Sequence, residues 1–141
     1  MDIFHHPCFK GWYLNQGVSL ALINEAEHKL GFVFPNEYKQ FIHTANGGYG
    51  LVANKLYIQF YCLDEIVKIN SIAQVKENGI NIVIMGSDGG DTVYGFASLP
   101  ASCPIVKSSI EQLWFATPIV ISQNFTEFLD YLWDLAGKTK L

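Results

Sequence analysis

The chain has 141 residues, half of them apolar and 16% charged, with a formal net charge of −4. A single domain of this size buries roughly 68–70% of its unfolded-chain surface without staples, and the composition excludes a disordered chain. Nine Lys and Arg are scattered rather than striped, so a nucleic-acid partner is not expected, and no apolar run approaches the roughly 20 residues that cross a bilayer.

The first 18 residues are rich in aromatics but aperiodic, and are expected to form an irregular arm on a domain of residues 19–141. Ser19 suits the N-cap of a helix over Leu20–Leu30, whose Ile23, Ala26 and Leu30 recur on one face, and Gly31 is the natural stop. Pro35 opens a second helix, 35–45, with Tyr38, Phe41, Ile42 and Ala45 as its apolar stripe and Glu37 near its positive end. Asn46-Gly47-Gly48 is expected to end it. A strand is predicted at 57–61, then a third helix capped by Asp64 and running through Ile66, Ile69 and Ala73 as far as 78.

From residue 80 the period changes to that of strands. The segments 80–85, Thr92–Ala97, Ile105–Ser109 and some part of 113–121 fit this pattern, with Pro118 pushing the last to a sheet edge. Asn124 and Glu127 form a capping-box-like start to a final helix, and Phe125, Phe128, Leu129, Leu132 and Ala136 form its apolar stripe. Gly137 is its expected end. Helices flanking a run of strands predict an α+β fold on an antiparallel-rich sheet.

Signals for chemistry are weak. Gly86-Ser-Asp-Gly-Gly-Asp91 lacks the lysine and following helix of a phosphate loop, and Asp88 and Asp91 lack the ligand spacing of a calcium loop. Turn formation explains the loop better. His5, His6 and Cys8 lie within four residues but have no second half to complete a zinc site, so exposed imidazoles are expected there. Three separated cysteines, Cys8, Cys62 and Cys103, fit free thiols in a reducing compartment. The N-terminal residues carry no basic stretch followed by an apolar one, so the cytoplasm is the expected location. No nucleophile, paired-carboxylate or metallopeptidase motif occurs, and no catalytic residue, metal or cofactor is expected.

One run of residues is more specific. Glu25 or Glu27, Leu30-Gly31, Pro35, Tyr38-Lys39, Phe41 and Asn46-Gly47-Gly48 are followed by Gly86, Asp88, Gly89 and Gly90, then Tyr94 and Phe96. Asn124-Phe125 with Phe128-Leu129 completes the order. This succession resembles the SUKH superfamily, the Smi/Knr-type domain. Phe34 before Pro35, Ala97 after Phe96 and Asn124 in place of Ser depart from its pattern. The resemblance implies helices packed on a mainly antiparallel curved sheet and a non-catalytic role. Its bacterial members suggest an immunity protein that neutralises a cognate toxin; its eukaryotic members suggest a scaffold or regulatory interaction domain. A monomer or weak homodimer is expected, with no membrane association. Tyr38, Asn46, Gly47, Gly48, Tyr49, Asp88, Gly89, Gly90, Asp91 and Tyr94 are the expected partner-binding residues; the alternative is a purely fold-setting role for the two glycine segments.

Overall fold

Helix α1, Leu20–Leu30, starts where the Ser19 side chain accepts a hydrogen bond from the Leu22 amide. It stops where Gly31 takes a left-handed conformation and returns its N–H to the last turn. The protein, seen in a computed structural model, is described over residues 3–73, 82–99, 102–111 and 118–139. Helix α2, Asn36–Thr44, begins one residue later than expected because Pro35 is its extended N-cap. Helices α3, Leu63–Ala73, and α4, Phe125–Lys138, are the other α-helices among the described residues.

Seven strands form one sheet: β1 Tyr13–Gln16, β2 Ala45–Val52, β3 Leu56–Phe60, β4 Ile82–Ser87, β5 Thr92–Ala97, β6 Ile105–Ser109 and β7 Ile119–Ser122. They lie side by side in chain order, every neighbour antiparallel. The expected α+β fold on an antiparallel sheet is therefore present. Pro118 immediately precedes β7, an edge strand, where a missing N–H does no harm.

Several local expectations are corrected. The N-terminal arm is not wholly irregular: it makes two short 3₁₀ turns, Ile3–His5 and Pro7–Phe9, and then the edge strand β1. Its aperiodic sequence concealed a strand only four residues long. Asn46-Gly47-Gly48 is not a loop, because the chain passes from α2 straight into β2. Asp64 does not cap α3; Asn46 Oδ1 accepts from the Leu63 amide and Glu65 Oε1 from the Cys62 amide. Gly137 lies inside α4, which ends at Thr139. β3 and β4 are shifted by one or two residues from 57–61 and 80–85. The expected extension of α3 to 78, the first two residues of the 80–85 strand and positions 113–117 lie outside the described residues.

The sheet has two faces with different fates. One receives Ile58, Phe60, Val83, Met85, Tyr94, Phe96 and Ile105, and is covered by the apolar stripes of α1, α2 and α4 together with Ile3, Cys8 and Phe9 of the arm. Aromatic rings dominate it: Phe41 lies within 6 Å of the ring centres of Phe4, Phe9, Tyr38, Phe60 and Phe125. Two carboxylates, Glu27 buried and Glu37 half-buried, stitch its helices. Glu27 accepts from the Phe34 amide at 2.8 Å and pairs with Lys39 at 3.3 Å. Glu37, in the first turn of α2, accepts from the amide and hydroxyl of Thr126 in the first turn of α4, so one negative charge serves two positive helix ends.

The second face is divided. On β4, β5 and β6 it carries Ile82, Ile84, Val93, Ala97 and Val106, a second buried cluster against which Ile69 of α3 packs. β3 and β4 pair at Gln59–Ser87 and Phe60–Gly86, and the Tyr61 amide just beyond β3 donates to the Met85 carbonyl. Asn70 of α3 then supplies the missing partner: its side-chain amide bonds both the N–H and the C=O of Ile84. On β1, β2 and β3 the same face carries no such cover among the described residues.

Candidate partner-binding face

Period-two alternation sets the uncovered face. In β2, Gly50 packs on Trp12 and Val52 enters the core, so Tyr49 and Leu51 point the other way. In β3, Ile58 and Phe60 are buried while Tyr57 faces outward. The register places Tyr13 opposite Tyr49 and Leu51 opposite Tyr57. The result is an aromatic ladder across three strands: Tyr13 and Tyr49 ring centres are 5.6 Å apart, and Tyr49 and Tyr57 are 6.4 Å apart. These rings are 60, 48 and 38% exposed, with Leu51 at 47%.

The second glycine segment ends this ladder. Asp88 Oδ1 accepts from the Gly90 amide at 2.8 Å and the Thr92 amide at 3.2 Å, which holds the β4–β5 turn closed. Gly89 has φ +80°, and a Cβ there would meet the Tyr57 ring at 2.8 Å. Only glycine both adopts that backbone and lets the ring lie against the turn. Asp91 is exposed; its backbone carbonyl accepts from Ile110, and its carboxylate has no partner among the described residues.

Five of the ten expected partner-binding residues therefore gather at the surface: Tyr49, Asp88, Gly89, Gly90 and Asp91. The others serve the fold. Tyr38 is 0% exposed, wedged between Phe34, Phe41, Phe96 and Phe125, and burial pushes its phenol well above the ordinary range. Its hydroxyl has no hydrogen-bond partner among the described residues. Tyr94 is buried against Phe128, with its phenol raised by burial and then by the nearby Tyr131 and Asp88 charges. Asn46 caps α3, and its carbonyl accepts from the Asn15 side chain. At Gly47, with φ +75°, a Cβ would lie 2.5 Å from the Phe60 carbonyl oxygen; at Gly48 it would lie 2.2 Å from that of Tyr13. Both glycines let β1 and β3 close on β2.

Tyr13, Leu51 and Tyr57 were missed at the level of sequence. The available signal was that β2 and β3 are apolar on both alternating sets, so one set had to remain uncovered or find another layer. Glu27, read from the sequence as an alternative to Glu25 in the family motif, is buried.

The arm holds no exposed imidazole at His6. Its ring is largely buried, with Nε2 2.8 Å from Asp130 and Nδ1 accepting from the Cys8 amide. Burial, reinforced by the Asp130 charge, raises the Cys8 thiol to about 12, which makes it a poor nucleophile. Among the described residues no three His, Cys, Asp or Glu side chains converge as metal ligands, and no helix is long and apolar enough to cross a membrane.

A seven-stranded antiparallel meander, with α1, α2 and α4 on one face and α3 beside an open aromatic patch on the other, defines an α+β protein. Residues 17–131 match the SMI1 / KNR4 family (SUKH-1), and the chain belongs to that family. No curated protein matches the chain.

Proposed function

We propose that this protein is a non-catalytic, cytoplasmic immunity protein that binds a cognate toxin and neutralises it through the open face of β1–β3. SUKH-1 membership supports the class. The observation that carries the reading is the Tyr13–Tyr49–Tyr57 ladder with Leu51, four large apolar side chains exposed side by side on rigid strands. Tyrosines on a fixed backbone supply large contact area at low entropic cost, which suits the anchor of a protein interface. A monomer or weak homodimer is the form in which that face stays available to a partner.

The test is survival of cells expressing the adjacent reading frame with and without this chain. Rescue together with a stable one-to-one complex is the expected result. A harmless neighbour, or killing that this chain leaves unchanged, would overturn the reading in favour of a scaffold domain without a toxin partner.

A further inference from the structure

The ladder has a charge as well as a shape. Its tyrosine rings are exposed, and the face of such a ring attracts a guanidinium or ammonium group. The turn whose Gly89 lies against Tyr57 carries Asp88, which spends one oxygen on closing that turn, and the exposed Asp91, whose carboxylate has no partner among the described residues. The strands β1–β3 and the turn joining β2 to β3 contain one cation, Lys55, which forms no ion pair with either aspartate. The whole chain carries a net charge of −4, so its long-range field also favours a basic partner.

Resting on the reading of this face as a binding surface, we propose that its occupant is a cationic polypeptide segment. Lys or Arg side chains of the partner lie over Tyr13, Tyr49 and Tyr57, and one reaches Asp91. The aromatic rings supply sequence-tolerant contact with the side-chain stems and heads, and the carboxylates at one end fix the direction of the segment. An acidic or neutral apolar segment would leave Asp91 facing an uncompensated surface. A second copy of this chain would bring Asp88 and Asp91 of both copies to the same interface.

The test needs no toxin. Amide chemical shifts of the full chain are followed during titration with hexa-arginine, hexaglutamate and a neutral tryptophan-containing hexapeptide. Hexa-arginine is expected to shift residues of β1, β2 and β3 and the 88–91 turn together, with affinity falling as salt rises. Tyr49→Ala and Asp91→Asn should each weaken that binding by about two- to fivefold, and Tyr49→Phe should retain it. Three outcomes would overturn the proposal: shifts spread over the other acidic residues with the ladder silent, preference for the neutral peptide, or ladder shifts that grow with protein concentration in the absence of peptide. Failure of toxin rescue with hexa-arginine still on the ladder would remove the immunity reading alone. Rescue with hexa-arginine elsewhere would remove only the cationic partner.

Discussion

The two faces of the sheet use the same kind of residue for opposite purposes. On the covered face Phe41, Phe60, Phe96 and Phe125 are almost wholly buried, in contact with rings from α2, α4, the connection before α2 and the N-terminal arm. On the open face Tyr13, Tyr49 and Tyr57 lie at 5.6 and 6.4 Å along the ladder, close to the spacing of those core rings, yet each keeps more than a third of its surface in water. Ring proximity therefore does not distinguish core from surface here; the presence of a second layer does. Removing a covered ring leaves a cavity, whereas removing an open one leaves only solvent.

That contrast can be broken by mutation. Phe41→Ala should destabilise the fold most, by about 3–5 kcal/mol, read as a fall in the urea midpoint. Glu27→Ala comes next: it orphans the buried Phe34 amide, and the loss should be about 1–3 kcal/mol in the same measurement.

Alkaline titration acts on the covered face too. The Cys8 thiol is raised from 9.0 to about 12, because burial disfavours the thiolate. The unfolded chain therefore loses this proton first. The stability this group contributes is fully present below pH 9 and is lost as pH rises towards 12. Urea melts at increasing alkaline pH should show that decline, with a shallower slope in Cys8→Ala. Smallest of all, Tyr38→Phe removes a buried hydroxyl that has no partner among the described residues, and should change stability by no more than about 1 kcal/mol, in either direction.

The helices were largely legible in the sequence because their signals are local. Ser19, Gly31, Asn124 and the 3.6-residue apolar stripes each act within one or two turns, and the structure uses them as expected. The order of family motifs was legible for a related reason, since it needs only succession along the chain. What escaped was set at long range. Asn46 read as part of a helix stop, yet it caps α3 seventeen residues later; no local pattern announces that bond. Tyr38 and Tyr94 read as contact residues because their motif positions attract attention, but burial depends on which helix lies over which strand. Tyr13 and Tyr57 were passed over for the converse reason: they are exposed because no described element packs over β1–β3.

The central claim is that the open face binds while the covered face folds. It is tested most directly by the affinity of the Tyr49→Ala/Tyr57→Ala double variant for the toxin identified by rescue, measured calorimetrically beside its urea midpoint. The account predicts an affinity at least about tenfold weaker, with stability lowered by no more than about 1 kcal/mol. Unchanged affinity in a folded double variant would contradict it and move the interface elsewhere on the molecule.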